Sequence, residues 1–178
     1  MAWWGQVVSV DLGGNRVGRL GSTALAQALL NNAVLASLNL RDNPVGPHGA
    51  ARLAEAVRHS RALERLNLSG CAIGDAGCAA LCAALLQPGC SVRALSLRRN
   101  DITDAGADAA ADALRGNCGL TELGLNDNRI TDDGVAALAA ALGSNTTLTL
   151  LRVTENPYGR ESLKRLTNCK REGLHIYF

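Results

Sequence analysis

The sequence predicts an α/β solenoid in which each coil contributes one short strand, one turn and one helix. One sequence unit recurs along most of the 178-residue chain, in steps of 28 or 29 residues. Each unit starts with three apolar residues at positions i, i+3 and i+5, a spacing that suits a short strand. A later apolar stripe has helical spacing. Units of this size bury their apolar faces only by stacking, so the repeat predicts one continuous core.

A polar anchor residue marks the turn after each predicted strand. The chain turns inward there, and an amide side chain can satisfy both buried N–H and buried C=O groups. A cysteine replaces asparagine once, and we expect that turn to be the weakest because a thiol forms weak hydrogen bonds. The anchors are Asn15, Asn43, Cys71, Asn100, Asn128 and Asn156.

Five helices are predicted from the spacing of leucine, valine and alanine, at residues 22–31, 50–59, 78–87, 107–115 and 135–142. A glycine precedes each of them and should allow neighbouring coils to approach closely. Two Thr-Asp pairs, Thr103–Asp104 and Thr131–Asp132, are interpreted as helix N-caps followed by acidic residues of the first turn.

Both ends of the chain depart from the repeat. Residues 1–6 form an N-terminal edge segment with both tryptophans, Trp3 and Trp4, which either cover the first coil or provide end docking for another chain. The repeat domain spans residues 7–169. Residues 170–178 are predicted to be a C-terminal cap over the last coil, with an exposed peptide offered to a partner as the alternative.

The pattern Leu-x-x-Leu-x-Leu-x-x-Asn-x-Ile, seen in residues 120–130, resembles the leucine-rich repeats of the ribonuclease-inhibitor type. Such repeats also occur in NOD-like receptors and in Ran GTPase-activating protein. The resemblance covers residues 7–169 and implies an open right-handed crescent of about six coils, with strands inside and helices outside. Members bind many unrelated partners, so the resemblance implies protein binding without naming the partner.

Composition argues against several classes of partner. The chain has 18 basic and 16 acidic residues, and a net charge of +2 gives no strong field for nucleic acid or an anionic membrane. No stretch has the length of a membrane span or the pattern of a signal peptide, so a cytoplasmic chain is predicted. The six cysteines are interpreted as buried, reduced thiols rather than metal ligands, although Cys90 and Cys118 occupy the same place in successive coils and a disulfide between them stays open.

The outward-pointing strand residues should line the concave face of the crescent. This surface is predicted to be polar, mixed in charge and without aromatic residues. Arginine is enriched at the energetic centres of protein interfaces, which makes the arginines the leading candidates. The predicted partner-binding residues are Arg41, Arg65, Arg98, Arg99, Asn126 and Arg152.

These observations favour a non-enzymatic protein-interaction module or assembly subunit. No phosphate-cradling glycine motif or nucleophile–base arrangement is recognisable, so no catalytic residue, metal or cofactor is predicted. Within the binding class, the repeat region of a NOD-like receptor type protein and a ribonuclease-inhibitor-like binder remain open. The alternatives are a GTPase-activating regulator resembling Ran GTPase-activating protein and a structural repeat subunit of a large assembly such as the ciliary axoneme.

Overall fold

The computed structural model describes residues 7–117 and 119–178. Trp3, Trp4 and Cys118 therefore lie outside the described residues, and the predictions that concern them stay predictions. Within the described ranges, seven parallel strands follow chain order in one sheet. They are β1 (Ser9–Asp11), β2 (Ser37–Asn39), β3 (Arg65–Asn67), β4 (Ala94–Ser96), β5 (Glu122–Gly124), β6 (Leu150–Arg152) and β7 (His175–Tyr177).

Six helices alternate with these strands and form the second layer. They are α1 (Arg19–Leu30), α2 (Gly46–His59), α3 (Gly74–Leu85), α4 (Asp104–Gly116), α5 (Asp132–Leu142) and α6 (Arg160–Asn168). Each strand and its following helix make one coil, and β1 and β7 are the two open edges of the sheet. The predicted α/β solenoid is confirmed.

The repeat period sets the register of the sheet. Leu38 pairs with Leu66 and Leu66 with Leu95, so the central residue of each strand lies beside its counterpart in the next coil. These central leucines are buried between the sheet and the helices. A one-residue slip would expose the whole row, because successive side chains of a strand point to opposite faces.

Small residues let the helical layer pack closely. A Cβ added to Gly134 would lie 2.9 Å from the Cβ of Ala107 in the preceding helix, and one added to Gly77 would lie 3.0 Å from the Cβ of Ala50. Contacts this short would displace the neighbouring helix. The predicted role of these glycines in close approach is confirmed.

The helices begin three or four residues before the predicted starts. For example, α2 begins at Gly46 rather than at residue 50, and α5 begins at Asp132 rather than at residue 135. The prediction followed apolar spacing, which marks only the buried side of a helix. The first turn faces solvent and needs no apolar residue.

Acidic residues connect the helix starts of successive coils. Asp104 Oδ1 accepts hydrogen bonds from the N–H groups of Thr131, at 2.7 Å, and Gly134, at 3.1 Å. The Thr131 hydroxyl donates to the same carboxylate and makes no cap hydrogen bond within its own helix. Thr131 therefore occupies the predicted N-cap position of α5 without a side-chain cap hydrogen bond, whereas Thr103 Oγ1 does accept from the Ala105 N–H.

The C-terminal tail continues the sheet. Its strand β7 pairs in parallel with β6, with His175 beside Leu150 and Tyr177 beside Arg152. Leu174 and Ile176 are 4% and 8% exposed and cover the end of the core. The sheet therefore has one strand more than the six units predicted from the asparagine anchors.

The described thiols are free and mostly withdrawn from solvent. Cys71, Cys78 and Cys82 are buried, and Cys90 and Cys169 are half-buried. Burial raises the pKa of the Cys71, Cys90 and Cys169 thiols. Among the described residues, no group of three or more potential ligands could hold a metal ion, and no helix is long and apolar enough to span a bilayer.

Candidate protein-binding face

The concave face is formed by the residues on either side of each buried central strand residue. Parallel, in-register pairing turns equivalent positions into rows that run across the sheet. One row contains Arg65, Ala94, Glu122, Leu150 and His175, and the next contains Asn67, Ser96, Gly124, Arg152 and Tyr177. The rows place side chains from distant parts of the sequence about one strand spacing apart.

A central depression of about 280 Å³ lies in the middle of this face. Gly124 contributes no side chain to its row, so the surface is low there between Ser96 and Arg152. An ion pair between Arg65 and Glu122, at 3.9 Å, reaches from β3 to β5. Three of the predicted residues line this depression, namely Arg65, Asn126 and Arg152.

A second depression of about 230 Å³ lies beside it and holds the other three predicted residues. We call it the arginine depression; its arginines are Arg41, Arg98 and Arg99. Arg99 forms an ion pair with Asp42 from two coils earlier, while Arg98 lies 3.5 Å from Asp127 and 3.7 Å from Glu155. The structure thus gathers all six predicted partner-binding residues into two neighbouring depressions.

The arginines differ in how their charge is already engaged. Arg65, Arg98 and Arg99 each face a carboxylate of the chain. Within the described ranges, no carboxylate lies within 4.0 Å of the Arg41 or Arg152 guanidinium. The latter two can therefore meet an acidic group of a partner without breaking an existing ion pair.

An aromatic side chain completes the concave face at its C-terminal end, so the prediction that this face lacks aromatic residues is wrong. The Arg152 guanidinium lies 5.7 Å from the centre of the Tyr177 ring, a cation–π distance. The alternation of Leu174 and Ile176 matches the spacing of the earlier strands and was the available signal. The tail was predicted to be a cap rather than a strand, because it lacks the asparagine anchor of the other units.

The rim of the face has a strained backbone that the sequence did not reveal. The residue before each anchor has a positive φ, a conformation that costs a side-chain-bearing residue roughly 1–2 kcal/mol. Four of the six are charged rather than glycine, and each carries its charge at the end of a strand. The six residues and their φ angles are Gly14 (68°), Asp42 (57°), Gly70 (64°), Arg99 (53°), Asp127 (58°) and Glu155 (57°).

The anchor asparagines form structural hydrogen bonds; those of the inner coils are buried, whereas Asn15 is exposed and Asn156 is half-buried. The Asn100 amide donates to Leu68 O at 2.8 Å, and its oxygen accepts from the N–H groups of Cys71 and Ile73, at 3.0 and 3.3 Å. Asn100 is 1% exposed and Asn43 is 2% exposed. At the one anchor that is a cysteine, the Cys71 thiol donates to Leu40 O at 3.1 Å. Buried anchors of this kind are not available to a partner.

Comparison with known proteins agrees with this architecture. The profile of the family described as Leucine Rich repeat matches residues 31–54, 59–82, 90–109 and 116–139, together more than half of the chain. The chain belongs to the leucine-rich repeat family. A comparison of this leucine-rich repeat chain with curated protein sequences gave no significant match. The ribonuclease-inhibitor type of repeat stays a prediction.

Two solved leucine-rich repeat structures illustrate the likeness. The chain is 25% identical to leiomodin-1 actin-binding site 2. The match covers 70% of this chain and 75% of that one, with a TM-score of 0.64. It is also similar to the tropomodulin C-terminal domain of Caenorhabditis elegans, at 13% identity and a TM-score of 0.59, over 93% of this chain and 83% of that one. The second likeness shows the fold alone. The family and the likeness to leiomodin-1 support a protein-interaction module.

Proposed function

We propose that this leucine-rich repeat chain is a non-enzymatic protein-interaction module that recognises its partner with the concave face and its rim. The observation that carries the proposal is the grouping of Arg41, Arg98 and Arg99 in one depression and of Arg65, Asn126 and Arg152 in the next. An exposed, concave surface with several arginines and an aromatic ring has the side chains that dominate protein interfaces.

Size requires the partner to contact more than the strands. Seven strands spaced about 4.8 Å apart, each with three residues of about 3.3 Å, present roughly 330 Å² of projected sheet. A stable interface uses about 800 Å² from each partner. The partner therefore also contacts the rim, where the positive-φ residues present their charges.

The strongest contacts are expected at Arg41 and at the Arg152–Tyr177 pair. Exposed ion pairs within one chain contribute little, about 0–1 kcal/mol, and a partner gains little by replacing one. An arginine with no described carboxylate within 4.0 Å avoids that exchange, and an arginine on an aromatic ring is already oriented. We expect a partner surface with acidic side chains opposite these two arginines.

Actin is the first partner to test, because the 25% identical solved structure is an actin-binding site of leiomodin-1. A cytoplasmic setting is part of this proposal. The half-buried free thiols Cys90 and Cys169 suit a reducing compartment. For a GTPase-activating regulator or an axonemal subunit, no contact or cluster among the residues that the structure describes offers specific support.

The test is binding of the purified chain to monomeric and filamentous actin, with a concave double variant, Arg41→Glu/Arg152→Glu. We expect at least a tenfold loss of affinity, since two arginines at an interface centre are reversed in charge. Arg52→Glu/Arg58→Glu is the matched control, because it makes the same charge change at exposed positions of the outer helix α2.

If actin does not bind, cross-linking mass spectrometry of the chain in cell extract at physiological salt extends the test to other proteins. Cross-links that disappear with the concave variant and persist with the control support the proposed face. Equal effects of both variants, or unchanged cross-linking with both, would argue against recognition by the concave face.

A further inference from the structure

The N-terminal end of the solenoid leaves apolar core residues open to solvent. A groove of about 280 Å³ lies between the sheet and α1, and eight of its nine lining residues are apolar. The exception, Asn32, uses its side-chain oxygen to accept from the N–H groups of Val34 and Leu35, at 2.8 and 2.7 Å. The groove therefore favours an apolar occupant. Its lining residues are Val7, Val10, Leu12, Leu25, Ala28, Leu29, Asn32, Leu35 and Leu38.

The two ends of the solenoid differ in this respect. At the C-terminal end, Leu174 and Ile176 of the tail are 4% and 8% exposed and close the core. At the N-terminal end, Val7 of the groove wall is 39% exposed. Solenoids need a cover at each end, because the terminal coil has only one neighbour. The described residues supply such a cover at one end only.

We propose that the indole side chains of Trp3 and Trp4 bind this groove, which makes residues 1–6 its occupant. Val7 forms part of the groove wall and directly follows this segment. Trp4 is three residues before Val7, and three residues span at most about 10 Å. Chain connectivity therefore keeps both indoles beside the groove at a high effective concentration.

The size and chemistry of the segment agree with the groove. Residues 1–6 are Met-Ala-Trp-Trp-Gly-Gln and carry no charged side chain that burial would have to desolvate. A tryptophan buries a large apolar area, on the order of 150–250 Å². A second copy of the chain, or a different protein, would have to displace a segment that is already tethered. The inference is independent of the concave-face function, since the groove and the two depressions share only the buried Leu38.

The test uses intrinsic tryptophan fluorescence, because Trp3 and Trp4 are the only tryptophans of the chain. We expect the full 178-residue chain to show the emission of shielded indole and weak quenching by acrylamide, both independent of protein concentration. Ala28→Glu places a carboxylate in the groove on an exposed position of α1, so the fold is retained. We expect this variant to shift the emission towards that of free tryptophan and to increase quenching several-fold.

Gln27→Glu is the matched control, because it introduces the same carboxylate at the neighbouring exposed residue outside the groove. It should leave emission and quenching unchanged, and circular dichroism verifies the helices of both variants. The proposal is overturned if the wild-type indoles quench like free tryptophan, or if Ala28→Glu leaves the emission unchanged. It is also overturned if shielding appears only at concentrations where sedimentation detects dimers, since a second copy would then be the occupant.

Discussion

At the scale of single residues, Gly70 lies between two charges that belong to the coils on either side of it. Asp42 and Arg99 form an ion pair across this glycine, although they are two coils apart in the chain. A Cβ added to Gly70 would lie 2.5 Å from Asp42 Oδ1 and 2.7 Å from Arg99 Nη2. Gly70 also has a φ of 64°. Two physical reasons, backbone conformation and space for the ion pair, therefore favour glycine here.

Gly70→Ala is expected to destabilise the chain by about 1–3 kcal/mol, from the left-handed backbone and the displaced ion pair. Gly14→Ala separates the two effects, because Gly14 has a φ of 68° but nothing within 4 Å of an added Cβ. This control should lose only about 1 kcal/mol. Urea denaturation measures both variants, and equal losses would show that the ion pair contributes nothing to stability.

At the scale of strands and helices, the sequence predicted whatever the repeat period controls. The strand register and the position of each buried leucine follow from steps of 28 or 29 residues. Contacts that depend on side-chain direction were not predicted. Asp104 and Thr131 belong to successive coils, and nothing in their local sequence shows that the carboxylate of one coil caps the helix of the next.

Asp132 offers a test of this capping between coils. It accepts from the Ser162 hydroxyl and from the Gly159 N–H at 2.8 Å, and these hydrogen bonds lower the pKa of the Asp132 carboxyl. Since the folded pKa lies below the unfolded value of about 3.9, the ionised carboxylate stabilises the fold above about pH 4. That contribution is lost as the pH falls through the lowered folded pKa.

Asp132→Asn is therefore expected to lower the melting temperature by a few degrees at pH 7. The difference in melting temperature between this variant and the unmodified chain should shrink at pH values below the folded pKa of Asp132. Asp133→Asn serves as the control, because Asp133 is also an exposed acidic residue in the first turn of α5. Thermal unfolding followed by circular dichroism across this pH range measures the effect. If Asp132→Asn lowers the melting temperature by the same amount at every pH, an electrostatic role for the carboxylate is refuted.

At the scale of the whole molecule, the period also explains how the candidate site could be predicted in part. Arg65, Asn126 and Arg152 were found because equivalent positions in a solenoid form rows. The period does not fix side-chain conformations. It therefore does not predict which arginines lie near a carboxylate, or which charged residues form an ion pair although they are two coils apart. Tyr177 was missed because the tail forms a strand without the asparagine anchor that identified the other turns.

The tail has two separable roles in the whole solenoid, closing the core and completing the concave face. Tyr177 O accepts from the Val153 N–H at 2.8 Å, and the His175 N–H donates to Thr149 O at 2.8 Å. Deleting residues 174–178 removes these bonds together with Leu174 and Ile176. Burial of two such side chains is worth roughly 3–6 kcal/mol, so the deletion should lower stability by about 3 kcal/mol or more.

Tyr177→Ala should instead change stability by only about 0.5 kcal/mol, because the side chain is 55% exposed and its backbone bonds remain. The same variant should weaken partner binding, since it removes the ring beneath Arg152. Urea denaturation and the binding assay, applied to both variants, separate the two roles. A deletion that leaves stability unchanged would mean that β7 does not close the core. A Tyr177→Ala chain with full affinity would remove the Arg152–Tyr177 pair from the binding surface.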